Sequence, residues 1–372
     1  MAGITPVIMP KWGLSMREGT LVAWLVEEGT KITVGMPILE VETDKIANQV
    51  EAPDPGTLRR KVASEGEVLA VKALLGVMAE ADVSDADLDS YIASWVTPKT
   101  EEEDESATPK FNFVDVDGLR IRYARRGPAD GVPIVLIHGF GGDIDNWLFN
   151  IDALAEKAPV IALDLPGHGQ SAIRLPGATV AALGAFVVKF LDAVSVGQAH
   201  FVGHSLGGAI AAQIALDDPM RVASLTLIGS AGFGSEVSSV YIDGFARAQS
   251  RRELKSALEL LFADPGLVNR KMVDDVLKYK RLDGVGNLLI ELAAALFPGG
   301  RQSAQPGPKL AGREVAGKTL LIWGQVDRVV PAAHARNAPA GAAVEVLDGA
   351  GHMVQMERAN DVNRLILSHI GF

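Results

Sequence analysis

The sequence predicts two folded domains of different class: an N-terminal all-β flattened barrel or sandwich, and a C-terminal α/β domain whose mostly parallel sheet carries helices on both faces and a helical cap. Three observations predict this. A repeat of glycine turns and alternating apolar residues fills the first 80 positions, an acidic segment flanked by prolines ends near Lys110, and short apolar runs alternate with amphipathic helices from Phe111 onward. The length of 372 residues exceeds the usual size of one domain, and 48% hydrophobic with 22% charged content is ordinary for a well-packed soluble protein.

The repeat comes first along the chain. A shift of 37 positions pairs Gly29 with Gly66, Ile32 with Leu69, Val34 with Val71, Ile38 with Leu75 and Val41 with Met78, and each copy opens on Glu-Gly. Between the glycines the apolar residues alternate, as in Leu21 to Val26 and Ile38 to Val41, which is the period of half-buried strands. Two similar half-sheets packed face to face are therefore expected over residues 1–80. Lys45, in Glu42-Thr43-Asp44-Lys45-Ile46-Ala47, falls between the copies, where a hairpin turn would expose it.

Residues 81–110 read as a short helix and a linker. Ser84 is placed to cap a helix ending near Trp95, with Leu88, Ile92 and Trp95 on one face, able to dock on either domain. From Thr97 to Lys110 the acidic run Glu101 to Glu105 lies between Pro98 and Pro109, too charged to collapse and self-repelling enough to stay extended.

In residues 111–372 the strand signals are Pro133 to Ile137, Val160 to Leu163, His200 to Gly203, Leu225 to Ile228 and Thr319 to Trp323. They vanish between Gly232 and Pro308, where helical periodicity at Leu254, Leu258 and Leu261 and across Asn287 to Leu296 predicts an inserted cap at about 232–310.

Within this domain Gly203-His204-Ser205-Leu206-Gly207 follows an apolar strand and precedes a small-residue helix, the context in which flanking glycines make a sharp turn and expose the serine. A serine hydroxyl is a poor nucleophile without a base in reach. Asp327 follows the strand ending at Trp323, and His352 follows the strand-like Val344 to Leu347, so the chain order is Ser205, Asp327, His352. His138, His168 and His204 are read as structural: the first two as ties between loops, His204 as turned away along the strand pleat. No metal cluster is apparent.

This order, together with His138-Gly139-Phe140-Gly141-Gly142 and Asp164-Leu165-Pro166-Gly167-His168-Gly169-Gln170-Ser171, resembles the α/β-hydrolase superfamily over Phe111 to Phe372. The resemblance implies that Ser205 attacks an acyl carbonyl, that His352 takes and returns its proton, and that Asp327 holds the imidazole. It also implies an oxyanion hole from the amides of Phe140 and Leu206. Residues 2–80, with Asp44-Lys45-Ile46 at the turn, resemble lipoyl domains of 2-oxo acid dehydrogenase-type complexes; biotinyl domains usually place methionine on both sides of their lysine, where Asp44 and Ile46 stand here. A lipoyl group on Lys45 is the implied cofactor.

The two halves jointly resemble the acetyltransferase (E2) components of bacterial acetoin dehydrogenase complexes. That implies coenzyme A as the acyl acceptor, a thiamine-diphosphate-dependent E1 and dihydrolipoyl dehydrogenase (E3) as partners. The His-x-x-x-Asp-Gly motif of ordinary E2 transferase domains is absent, which puts their multimeric core and docking mode in doubt for this chain. Sequence leaves open whether the acceptor is coenzyme A or water, and whether the second domain is instead a scaffold. Arg251 and Arg252 read as a solvated helix face, with contact to the coenzyme A phosphates as the alternative.

Composition excludes other classes. A net charge of −11 with no basic block opposes nucleic-acid binding, and the lack of cysteine precludes disulfides and thiolate metal sites. No apolar run reaches a membrane span and no signal peptide is read at the start, so a cytoplasmic location is expected.

Overall fold

The computed structural model describes residues 3–12, 16–43, 47–98 and 111–372, and the chain divides into two compact units, Met1–Thr108 and Pro109–Phe372. The first contains β1 (Ile4–Ile8), β2 (Glu18–Trp24), β3 (Lys31–Ile32), β4 (Pro37–Glu42), β5 (Ala47–Glu51), β6 (Gly56–Lys61), β7 (Val68–Ala70) and β8 (Leu74–Ala79). They form two antiparallel four-stranded sheets, ordered β1-β8-β6-β3 and β5-β4-β2-β7.

The sequence repeat is a structural one. The same shift maps β2 onto β6, β3 onto β7 and β4 onto β8, and each member of a pair holds the equivalent place in the other sheet. Irregularities in the pairing recur at the repeat: the β2–β4 register shifts between Leu21 and Ala23, the β6–β8 register between Leu58 and Arg60. Packing explains why glycine stands at both Gly19 and Gly56. A Cβ there would meet Val41 at 2.9 Å and Met78 at 3.2 Å respectively, and Val41 and Met78 are themselves repeat partners. Leu21, Ile38, Leu39, Val41, Leu58, Leu75 and Met78 close the core between the sheets.

Helix α1 (Asp85–Ser94) begins where its cap predicts: the Ser84 hydroxyl accepts from the Asp87 amide at 3.2 Å. Of the two docking choices open to it, α1 takes the first unit, burying Leu88 against Leu74, Val77 and Ala79 of β8. Residues 99–110, including the acidic run, lie outside the described residues.

The second unit is an eight-stranded sheet, ordered β16-β15-β14-β13-β11-β12-β10-β9. Its strands are β9 (Asn112–Val116), β10 (Leu119–Arg126), β11 (Ile134–Ile137), β12 (Val160–Leu163), β13 (Ala199–His204), β14 (Val222–Ile228), β15 (Thr319–Gly324) and β16 (Ala343–Leu347). From β12 to β16 every pairing is parallel, while β10 runs antiparallel to both β9 and β12. The parallel core strands are buried on both faces, as β11, β12 and β15 show, because helices cover each side. The β9–β10 hairpin was not among the expected strands. Its signal is Asp117-Gly118, both at positive φ, between Val116 and Leu119, the two-residue turn that matches strand twist.

Helices α2 (Ile151–Ala155), α3 (Val180–Ala193) and α4 (Leu206–Asp217) connect the central strands. Between β14 and β15 lie α5 (Ser239–Arg247), α6 (Arg251–Leu258), α7 (Arg270–Lys280) and α8 (Val285–Leu296), within the segment read as a cap. The chain ends with α9 (Val354–Glu357) and α10 (Ala359–Ile370). Among the described residues no single helix is long and apolar enough to cross a membrane.

Candidate active site

Ser205 sits between β13 and α4 with φ 53° and ψ −115°, a conformation that L-residues rarely hold. Close packing on both sides enforces it. A Cβ at position 203 would run into the Gly207 carbonyl, and one at 207 into the Ile137 carbonyl, so only glycine lets strand and helix approach this closely. The Ser205 amide donates to the Ile228 carbonyl at 2.9 Å, and its carbonyl accepts from Gly208, Ala209 and Ala231. The turn is thus locked to the end of the neighbouring β14.

Asp327 and His352 come together beyond the ends of β15 and β16. The His352 Nδ1–H donates to Asp327 Oδ2 at 2.8 Å, with both side chains almost wholly buried. Asp327 Oδ1 accepts from the amides of Val329 and Val330 at 2.8 and 2.9 Å, so the carboxylate is fixed on its backbone side as well. The link to Ser205 runs through Gly229, directly after β14: a Cβ there would lie 3.2 Å from His352 Nδ1 and 3.4 Å from Asp327 Oδ2. All three residues therefore share one rim of the sheet, beyond the C-terminal ends of the parallel strands β13, β15 and β16.

Phe140 and Leu206 both lie against the Ser205 turn. Leu206 is the first residue of α4, where an amide has no intrahelical acceptor. Phe140 lies in a tight turn closed by the Gly142 amide on the Gly139 carbonyl, with Gly141 at φ 74° as a type II turn requires. The turn abuts the nucleophile: a Cβ on Gly139 would lie 3.0 Å from the Ser205 Cβ. The Phe140 ring packs edge-on against Phe245 of α5 and Phe297, which seats the loop under the cap.

The three structural histidines divide. His138 donates from Nδ1 to the Gly139 carbonyl at 2.8 Å and accepts at Nε2 from the Leu165 amide at 2.9 Å; His168 donates to the Pro166 carbonyl at 3.1 Å. Burial holds both neutral, with pKa pushed down to about 4 and about 3. His204 differs from the expectation. Its ring does not turn away but lies 4.6 Å from that of His352, and its Nε2–H donates to the His352 carbonyl at 3.0 Å. The loop carrying His352 folds back over β13, so the pleat direction does not by itself decide what a strand-end side chain meets. Burial, then the nearby His352, pushes the His204 pKa well down.

Two supporting residues escaped the sequence reading. Asp164 accepts from Arg122 of β10 at 2.6 and 3.2 Å and from the amides of Ile144 and Gln170 at 2.9 and 2.8 Å, tying its own loop to β10 and to the segment after the Phe140 turn. Glu357 accepts from the amides of Ala263 and Gly351 at 2.6 and 2.8 Å and so fixes the His352 loop. Asp164 opens the Asp164 to Ser171 motif, which is its sequence signal; for Glu357 no local pattern signals the role.

Asp44, Lys45 and Ile46 lie outside the described residues. The strands they connect are described: β4 and β5 pair as far as Glu42 and Ala47, with Thr43 buried.

Comparison with known proteins agrees with both folds. A family profile described as the alpha/beta hydrolase fold matches residues 132–359, and one described as biotin-requiring enzyme matches residues 5–78. The dihydrolipoyllysine-residue acetyltransferase component of the acetoin cleaving system of Cupriavidus necator is 59% identical over 99% of this chain and 98% of its own length. The chain belongs to this acetyltransferase family. The corresponding component from Pseudomonas putida is 45% identical over 100% of this chain and 99% of its own length. A meta-cleavage product hydrolase from Pseudomonas fluorescens superposes with a TM-score of 0.61 at 25% identity, covering 69% of this chain and 96% of its own. The acetyltransferase is thus an acyl-transfer enzyme built on a hydrolase fold, with a lipoyl-type domain ahead of it.

Proposed function

We propose that this acetyltransferase moves an acetyl group from lipoyl-Lys45 to coenzyme A by way of an acyl-Ser205 intermediate, with Asp327 and His352 completing the triad. The buried 2.8 Å hydrogen bond between His352 and Asp327, on the same rim as the strained Ser205 turn, supports this reading above all. The lipoyl group that Lys45 would hold supplies a dithiol able to carry an acetyl unit as a thioester. Residues 1–80 act as the carrier domain, 81–110 as helix and linker, and 111–372 as the transferase domain. The chain acts within an acetoin-cleaving complex, supplied by a thiamine-diphosphate-dependent E1 and served by dihydrolipoyl dehydrogenase.

In the acylation half, His352 Nε2 takes the proton from Ser205 Oγ as that oxygen bonds to the thioester carbonyl carbon. The carbonyl oxygen becomes an anion before the amides of Phe140 and Leu206, a donor pair in which each is worth about 3 kcal/mol in the transition state. With the carbon–sulfur bond broken, the His352 imidazolium would hand its proton to the leaving thiol that the carrier group would supply. In the second half His352 takes the thiol proton of coenzyme A, the thiolate attacks the acyl-serine, and the proton returns to Ser205 Oγ as the carbon–oxygen bond breaks. Asp327 keeps Nδ1 protonated throughout, so that Nε2 stays the basic nitrogen.

The test supplies acetyl-dihydrolipoamide and coenzyme A to wild type and Ser205→Ala and measures acetyl-coenzyme A against free acetate. Acetyl-coenzyme A from wild type alone is the expected result. Equal amounts from both proteins would remove Ser205 from the route, and acetate alone from wild type would make the enzyme a hydrolase. Intact mass should show one lipoyl group in wild type and none in Lys45→Arg.

A further inference from the structure

We infer that the cleft between the start of α6 and the outer face of α7 receives the nucleotide phosphates of coenzyme A; this rests on the acceptor proposed above and assigns where its charged end is held. The cleft has a volume of about 430 Å³ and is lined by the cations Arg251, Arg270, Lys271, Lys278 and Arg281. Two carboxylates, Asp274 and Asp275, stand among them. Arg251 and Arg270 pair with Asp274, while Lys271 and Lys278 pair with Asp275 at 3.0 and 3.1 Å, so each carboxylate spreads two cations around the opening. Three positive charges remain in surplus, in a chain whose net charge is −11.

Position separates this cluster from an ordinary solvated helix face. Arg270, Asp274, Lys278 and Arg281 recur at the spacing of one helical stripe, and Arg251 of α6 meets that stripe from the facing helix. Arg252 does not join them. It lines a separate hollow with Arg247 and Glu253 on the other side of α6, so of the two arginines singled out in the sequence only Arg251 belongs to the cleft.

Both walls are tied to the catalytic rim. From α6 the chain continues to Leu261, whose carbonyl accepts from the amides of His352 and Met353 at 2.8 and 3.0 Å. The ten residue steps from Arg251 to Leu261 rise about 15 Å at helical pitch. On α7, Tyr279 donates to the Gly167 carbonyl at 2.6 Å, in the loop that follows β12. Coenzyme A carries its anionic 3′-phosphate and diphosphate at one end and its thiol at the other, joined by a long neutral amide arm. A cationic cleft set back from His352 along one helix suits that division: guanidinium forks grip the phosphates, and the arm spans to Ser205.

The experiment uses the full-length lipoylated enzyme and the double variant Arg270→Gln/Arg281→Gln. Acetyl transfer is measured to coenzyme A, 3′-dephospho-coenzyme A and pantetheine, a thiol with no phosphate. The variant should raise KM for coenzyme A by about tenfold per guanidinium lost, leave kcat in place, and leave KM for pantetheine unchanged, which also shows that it is folded. Arg270→Lys should recover part of the loss. Unchanged KM for coenzyme A, or an equal rise with pantetheine, overturns the inference, as does a variant that slows acylation by the partner component alone. If wild type acetylates no thiol, the acceptor reading has failed; calorimetric titration with coenzyme A then decides the cleft separately, since wild-type binding lost in the variant supports it and no binding overturns it.

Discussion

Ser205 holds a backbone conformation that costs about 1–3 kcal/mol, offset by the hydrogen bonds that lock the turn to β14. Glycine tolerates that conformation. Ser205→Gly is therefore expected to be more stable than Ser205→Ala by about 1 kcal/mol, with transfer abolished in both; urea unfolding beside the acetyl-transfer assay measures the pair. The buried histidines make a second prediction. With pKa values pushed down to about 4 and about 3, His138 and His168 stay neutral in the folded chain while unfolded imidazoles titrate near 6.5. The unfolded state then binds more protons between about pH 6.5 and 4, so stability is present above that window and lost as pH falls through it. His168→Asn, which keeps a donor toward the Pro166 carbonyl, should reduce the slope of unfolding free energy by about 1.4 kcal/mol per pH unit in that window. Unfolding curves at several pH values decide it, and an unchanged slope would refute the neutral state of His168.

At the scale of elements, α6 matters for more than its own packing. Its N-terminus carries a capping box, in which Ser250 accepts from the Glu253 amide and the Glu253 carboxylate accepts from the Ser250 amide at 3.1 Å. The far end of the same segment presents the Leu261 carbonyl that holds the His352 amide. Ser250→Ala should cost about 1 kcal/mol and lower kcat more than it changes KM, because the loss frays the support of His352. Steady-state kinetics with melting data test this, and a normal kcat with the expected loss of stability would confine the helix to a packing role. The β2–β4 and β6–β8 bulges make the complementary point in the first unit. They recur in the strands where Gly19 and Gly56 admit Val41 and Met78 in each copy, so the sequence repeat carries a packing constraint as well as a pattern of strands.

Over the whole molecule, two cores of different kind fold in one chain. Leu58 belongs to the core of the first unit alone. Leu58→Ala is expected to cost that unit about 2–5 kcal/mol while Ser205-dependent turnover of a small acyl thioester persists, which differential scanning calorimetry and a soluble-substrate assay would show. Loss of both together would mean that the units do not unfold separately. Much of this organisation was legible beforehand. The repeat marked the paired half-sheets, the Ser84 cap marked α1, and the apolar runs marked β11 to β15, since buried parallel strands read as continuous hydrophobic stretches, while the exposed edge strand β16 showed only as the alternation Val344 to Leu347. The β9–β10 hairpin is faint in sequence because half-exposed strands such as β9 mix charge with apolar residues and only the Asp117-Gly118 turn announces them.

Sequence by itself determined the order of the candidate residues and their place after strands: Ser205, Asp327 and His352 each follow an apolar run, and in the sequence Lys45 falls between the two copies of a repeat. Those features are local, encoded by periodicity and by residues whose chemistry depends on few neighbours. Tertiary structure alone decided the rest. That His204 bonds the His352 carbonyl, that Glu357 and Asp164 brace the loops, and that Arg251 and not Arg252 faces α7 all depend on contacts between residues distant in the chain. Such contacts arise from the crossing of loops and helices at the sheet rim, where neither the period of an element nor the spacing of a motif specifies which side chain a carbonyl or a carboxylate will meet.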